Sequence, residues 1–272
     1  MCGRLLAFVA AFCFAAALAS VQAQAPAAAV ERGSATAKGG FRNENDIRDK
    51  FINWREDADA RAWLVEMGHD VSGIRDVSAA KPSGEKADVV VTITAADGTS
   101  RRHGISIKLV SSPNGFNQID KRWLRQYAKM WAMPPGVVAA LRLYLGEDPP
   151  VGNTRRPERM FLTELSEEAR NAVVEFFRAN KERVVADLLR GTGGDGPDHL
   201  LVAWKPGGET RLRMVKITDA IRFYSEGPVE MTRSGNLKIG RITMQRKGGD
   251  GGRETAKMLQ FKFNPSSVFE MK

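Results

Sequence analysis

Thiols are almost absent from this chain: 272 residues hold two cysteines, Cys2 and Cys13, and none follows. Everything after residue 13 therefore cannot form a disulfide or a cysteine-based zinc cluster. Histidine is nearly as scarce. His69, His103 and His199 sit on unrelated segments without ligand spacing, so metal ligation falls mainly to oxygen donors. The apolar run Leu5–Ala19 is short and Ala-rich, which argues against a permanent membrane span. Internal repeats and coiled-coil heptads are missing as well. What is plentiful is positive charge: 41 Lys and Arg against 32 Asp and Glu give a net charge of +9. That excess fits a polyanionic partner, nucleic acid or an anionic membrane surface, because Lys and Arg gain by releasing the counterions of phosphates. An apolar content of 43% suits a domain with a real core.

Residues 1–25 have the layout of a bacterial secretory signal: Arg4, the apolar run, then small-residue cleavage patterns ending at Ala23 and Ala25. Taken alone, this segment predicts export. The alternative is translation from near Val30, through a GTG start, which would leave residues 1–30 outside the working protein.

From Gly39 onward the periodicity turns helical. A first helix is expected over 43–55 and a second over 57–68, stopped by Gly68. A loop around Pro82–Gly84 precedes a doubly covered strand, 87–94. The Ala96–Gly98 turn then leads into a partner strand, 101–110. A helix is expected over 118–133, with Ile119, Trp123, Tyr127 and Met130 as its stripe and Pro134–Pro135 as its stop. Ser166 can cap a helix to Ala179, and another runs from Lys181 to Gly191. The last third reads as strands 200–204, 211–216, 237–246 and 258–263, with a helix capped by Thr218. This order predicts an α/β fold, a mixed central sheet flanked by helices, with a β-rich C-terminal lobe. A catalytic core over about 39–135 and a further helical and β region over about 160–265 would divide the 31–272 domain.

The chemistry concentrates in the hairpin. Ser106 and Lys108 lie two apart on the second strand and must share a face. A three-residue loop with Gly98 left-handed would bring Asp88 opposite Ser106 and onto that face, whereas a two-residue loop would place it opposite Ile107 and scatter the group. An acid at a strand start, then an acceptor, one spacer and a Lys a hairpin later, is the layout of PD-(D/E)xK phosphodiesterases. In that chemistry a carboxylate holds Mg²⁺ against the scissile phosphate, and the Lys positions water and offsets charge in the transition state. Ser106 replaces the usual carboxylate. Glu44 falls on the apolar side of the first helix, where a carboxylate needs a partner, and a metal shared with Asp88 would be one.

Several stretches carry a resemblance: GFRNENDI over 40–47, IKLVS over 107–111, GFNQIDKRW over 115–123 and GRITMQRKGGDGGRETAKMLQFKF over 240–263. They resemble the small type II restriction endonucleases that cut GCGC, the Hin-P-one-I family, in order from about Glu31 to Pro265. The resemblance implies a PD-(D/E)xK restriction-endonuclease core that recognises GCGC and hydrolyses both strands of double-stranded DNA. The cofactor implied is Mg²⁺, with Mn²⁺ as substitute. Asp88 and Lys108 match the catalytic pair, Glu44 the first-helix acid, and Ser106 stands where the family has Gln. Asp88, Glu44 and the Ile107 backbone carbonyl are the implied metal ligands. Asn117, Gln118 and Lys121, at an expected helix start, and Gln245, Arg246, Lys247, Arg253 and Gln260, around the Gly-rich turn, are the implied DNA contacts. Lys129, Arg155, Arg156 and Arg159 read as phosphate contacts or surface charge. A palindromic site suits a two-fold homodimer, although no interface is legible in the sequence. A restriction-modification system further implies a cognate DNA methyltransferase, a cytoplasmic location and no membrane partner. Mass spectrometry of the natural N-terminus tests the location: a chain beginning at Gln24 or Pro26 would mean export.

Overall fold

A computed structural model describes residues 39–112, 115–249 and 253–271 of the chain. The signal-like segment 1–30 lies outside these residues. A helix, α1, runs through 39–52 and turns Ile47 and Phe51 inward. It ends a few residues before the expected Arg55. Helix α2, Ala58–Glu66, starts where the Asp57 carboxylate accepts from the Ala60 backbone N–H. Gly68, at φ 88°, then turns the chain as expected.

Two five-stranded sheets form among the described residues. The first has the order β1 (Ile74–Ala80), β2 (Val89–Ala95), β3 (Ser100–Val110), β5 (His199–Trp204), β6 (Arg211–Lys216). β3 and β5 run parallel and the other neighbours antiparallel, which gives the mixed sheet that was expected. β1 falls where the sequence reads as loop. It is an edge strand with a bulge between Ile74 and Asp76 and only Ile74 and Val77 buried, so it lacks the alternation that marks a half-buried strand.

The second sheet has the order β4 (Asn117–Arg122), β10 (Leu259–Phe263), β9 (Ile242–Arg246), β8 (Leu237–Ile239), β7 (Val229–Met231). Here the expected 118–133 helix is overturned. Residues 117–122 pair with β10 instead, Trp123 stays extended, and α3 covers only Leu124–Trp131. Pairing with a distant strand outweighs the local helical spacing. Gln126 accepts from the Trp123 N–H and starts the shortened helix, and a left-handed Ala132 ends it before the prolines. Pro135 instead opens α4, Pro135–Leu145, since a first-turn position needs no N–H donor. The expected 237–246 strand is likewise two, β8 and β9, joined through Gly240 at φ 57°.

Helices α5 (Glu167–Ala179) and α6 (Lys181–Arg190) match the sequence reading, including the Ser166 cap. α7, Ile217–Ser225, is preceded by Lys216 at the cap position rather than Thr218. One core lies between α1, α2 and the first sheet, around Phe51, Trp63, Val91 and Ile105. The larger core joins the opposite face of that sheet, through Leu200 and Val202, to the second sheet and the remaining helices. Tyr127 and Trp131 of α3 stack at 4.9 Å between ring centroids and meet Phe261 of β10 edge-on at 5.1 and 5.6 Å. Burying each such ring contributes about 1.5–3 kcal/mol.

The two halves of the chain interleave: β5 and β6 complete the sheet begun by the hairpin, while β4 leaves the first half to edge the second sheet. No helix among the described residues is long and apolar enough to cross a membrane. At Gly240 an added Cβ would stand 2.5 Å from the Tyr224 carbonyl oxygen. Gly240→Ala should therefore destabilise the fold by about 2 kcal/mol or more, read as a lowered urea midpoint at unchanged slope.

Candidate active site

The site starts from a turn. Gly98 adopts φ 88° and donates its N–H to Ala95 O at 3.0 Å, closing the three-residue loop. Val89 consequently faces Ile105, and the Asp88 N–H donates to Ile105 O at 2.8 Å, which sets Asp88 opposite Ser106. The register that gathers Asp88, Ser106 and Lys108 on one face is the one adopted. Asp88 Oδ2 accepts from the Ile107 N–H at 2.6 Å, from Ser106 Oγ at 3.3 Å and from Lys108 Nζ at 3.4 Å. Lys108 Nζ also donates to Ser106 Oγ at 3.1 Å and to the Ile107 carbonyl at 3.0 Å. Among the described residues the hydrogen bonds to the Asp88 carboxylate all fall on Oδ2.

These groups line a cavity of about 180 Å³ together with Glu85, Lys86, Ile119, Leu189 and Leu200. One wall is polar and the other apolar, supplied by α6 and β5. Burial holds the Lys86 ammonium below its ordinary pKa; Asp120 opposes this, while Lys108 and Arg122 add to it. Asp120 is itself only 8% exposed. Burial alone would raise its pKa, but Arg122, Lys86 and Tyr127 together hold it below the usual carboxylate range. Lys86 and Asp120 were not singled out in the sequence, since Lys86 precedes the expected 87–94 strand and Asp120 falls in the segment expected to be helical.

Glu44 is not joined to Asp88 by any contact. Its carboxylate pairs with Lys81 at 2.7 Å and is 18% exposed, so a lysine on the neighbouring segment satisfies it. α1 nonetheless begins against the hairpin, since a methyl added at Gly39 would lie 3.8 Å from Leu109 Cδ2. Among the described residues no group of three or more His, Cys, Asp or Glu side chains gathers as a metal centre. Asp88, the Ser106 hydroxyl and the Ile107 carbonyl form an all-oxygen donor set with one carboxylate. That suits Mg²⁺, which keeps waters and takes substrate phosphate oxygens as ligands.

The R.HinP1I restriction endonuclease family profile matches residues 67–269. The chain belongs to that family. It is a type II restriction endonuclease acting on DNA. Its fold resembles the crystal structure of the restriction endonuclease MspI in complex with its cognate DNA, at a TM-score of 0.62 and 16% identity, covering 86% of this chain and 92% of that one. No curated protein matches by sequence.

The expected DNA-contact residues of the endonuclease divide into groups. Gln118 and Lys121 stand on a strand, not at a helix start. A bulge opposite Phe261 and Lys262 pairs Gln118 with Lys262 and Lys121 with Gln260, so both share the face of Gln260. Gln245 Nε2 donates to Gln260 Oε1 at 3.4 Å, and Gln260 Nε2 to Gln118 Oε1 at 2.7 Å, a side-chain relay across three strands. Asn117 instead donates to Leu109 O at 3.0 Å and ties β4 to the end of β3. Arg246 commits its Nε to Leu145 O at 2.8 Å. The Lys247 N–H closes onto Met258 O at 2.9 Å, and Arg253 is exposed at the far side of the Gly-rich connection. Arg155 is held by Glu164 at 3.0 Å and Arg159 lies over the Phe161 ring at 4.0 Å, which accounts for both structurally.

The three histidines, unrelated in sequence, converge on the face of the sheet that α2 covers, opposite to Asp88. His69 and His103 bring their Nε2 atoms to 2.9 Å, and the His103 and His199 rings lie 5.7 Å apart. Burial, with help from His103 and Lys216 and against Asp198, pushes His199 down to about 4. His69 and His103 are also lowered, chiefly by burial. A folded-state pKa below the unfolded 6.5 means stability fully present above that pH and lost as pH falls toward 4. His199 alone should cost on the order of 3 kcal/mol across that window. Its buried Nδ1 has no hydrogen-bond partner among the described residues, so His199→Leu should flatten most of the decline, read from urea midpoints at pH 7 and 4.5.

Proposed function

We propose that the protein cleaves both strands of double-stranded DNA at the palindrome GCGC in a Mg²⁺-dependent reaction, with Mn²⁺ as a substitute. The observation that carries this is the contact of Asp88 Oδ2 with the Ile107 N–H at 2.6 Å and with Lys108 and Ser106 beside it. It unites a carboxylate, a hydroxyl and an ammonium at one cavity in a chain of a restriction-endonuclease family. Asp88, Ser106 Oγ and the Ile107 carbonyl would hold the cation, with Glu44 as a further ligand only if it leaves Lys81. Mg²⁺, when bound, supplies Lewis acidity to the phosphate oxygen and to the attacking water.

The chain's own groups then have separable tasks. The Ile107 N–H orients Asp88 at the cavity wall. Lys108, anchored on the Ile107 carbonyl and Ser106, directs an N–H toward the attacking water and offsets the charge that builds on the phosphorane-like transition state. Leu189 and Leu200 exclude bulk water from one side, which strengthens each of these interactions. Gln118, Lys121, Gln245 and Gln260 present amides and an ammonium suited to the acceptors and donors of G·C pairs, while Arg253 and Lys247 favour the backbone. The two-fold symmetry of the target favours a homodimer, and a host would need a matching methyltransferase. Acting on such DNA, the enzyme works in the cytoplasm.

Purified protein incubated with GCGC-containing plasmid and Mg²⁺ should give discrete fragments, and none from DNA lacking the sequence. Asp88→Ala and Lys108→Ala should each slow cleavage by several orders of magnitude while keeping DNA retardation. A smear would indicate a nuclease with little sequence preference. Salt-sensitive retardation without cutting, in Mg²⁺ or Mn²⁺, would indicate a binding protein and overturn the assignment.

A further inference from the structure

The catalytic cavity contains a second lysine that the proposed mechanism does not use. Lys86 lies two residues before Asp88, in the bend that leads into β2, and lines the same 180 Å³ cavity as Asp88, Ser106 and Lys108. Its stem rests against Gly191, where an added methyl would stand 3.6 Å from Lys86 Cγ. The Lys86 side chain is 27% exposed. Among the described residues its hydrogen-bond contacts are two long ones, to Ile119 O and to Asp120 Oδ2, both at 3.5 Å. Good N–H···O bonds are about 2.7–3.2 Å long, so this half-buried cation is held without being satisfied.

Asp120 cannot compensate by moving closer, because it is already engaged. Arg122 grips both its oxygens at 3.0 Å and the Tyr127 hydroxyl donates to Oδ1 at 3.1 Å. Glu85, the other acid lining the cavity, is taken by Arg102 at 2.5 and 2.7 Å. The cavity is therefore left with two lysines against the single carboxylate of Asp88, an excess of positive charge that matches a phosphodiester. Lys86 also lines a groove of about 370 Å³ whose charged lining is Arg122 and Arg190 together with Glu85 and Asp195.

We propose that Lys86 is a second phosphate-binding cation of the catalytic cavity, with Asp120 as the residue that positions it. This rests on the proposed function. Its consequence is a link between recognition and cleavage. Asp120 belongs to β4, the strand that carries Gln118 and Lys121, so the seating of β4 on DNA sets where the Lys86 ammonium meets the backbone.

The test compares wild type with Lys86→Met, Lys86→Arg and Asp120→Asn on a GCGC duplex. Single-turnover rates are measured with Mg²⁺, and binding with Ca²⁺ over a range of salt. Lys86→Met should slow cleavage by about 100-fold or more and reduce the salt slope of binding by about one. Lys86→Arg should restore the slope and about tenfold of the rate. Asp120→Asn should slow cleavage by about tenfold with the slope unchanged, and should add little in the Lys86→Met background. Lys86 is partly exposed, so its variants are expected to fold, with thermal melting as the control. A Lys86→Met enzyme as fast as wild type with the same slope overturns the phosphate role while the proposed function stands. Additive effects in the double variant overturn the positioning role of Asp120. If wild type cuts no DNA, the inference and the proposed function fall together.

Discussion

One carboxylate oxygen receiving donors from the neighbouring strand organises the candidate active site of this molecule. Asp88 Oδ2 takes the Ile107 N–H at 2.6 Å, and this bond exists only because the β2–β3 hairpin closes through three residues with Gly98 left-handed. A slip of one position would send the Asp88 side chain to the α1–α2 face, into the apolar core around Phe51 and Trp63. The burial of Val89, Val91 and Ile93 against that core opposes such a slip. Hydrophobic packing on one face of the hairpin thus holds the polar group in place on the other.

The second constraint is the parallel pairing of β3 with β5. It brings Leu200 beside Ser106 and Val202 beside Lys108, giving the reactive groups apolar neighbours. α6 reaches the same cavity with Leu189. Meanwhile β4 is fastened to the end of β3 by Asn117 and to the segment before β2 by Lys86 and Asp120. The Asp88 hairpin and the glutamine-bearing face of the second sheet are therefore joined by a hydrogen bond at 3.0 Å and a longer ion pair at 3.5 Å. Such contacts give two sites a physical route for coupling.

Much of the candidate site was legible because it depends on local rules. The turn residues Ala96–Gly98 specify a hairpin, and the period of two then assigns faces. Glu44 was read from helical spacing as needing a partner, and it has one in Lys81, a pairing that depends on how α1 packs. The 117–122 segment was misread because its Ile119, Trp123, Tyr127 spacing fits a helix as well as a strand followed by a helix, and the decision lies with β10, more than a hundred residues away. The histidine cluster illustrates the same limit: three separate segments meet only after the sheet and α2 have packed.

By itself the sequence determined the α/β character, the hairpin with its Asp88, Ser106 and Lys108 face, the basic charge and the family, since these follow from periodicity, turn chemistry, composition and contiguous motifs. The tertiary structure alone decided that β4 leaves its neighbours to edge the second sheet, that Glu44 pairs with Lys81, and that Lys86 lines the Asp88 cavity within 3.5 Å of Asp120. Each of these rests on contacts between residues far apart in the chain. Burial and strand pairing there outweigh local preference by amounts no short window of sequence contains.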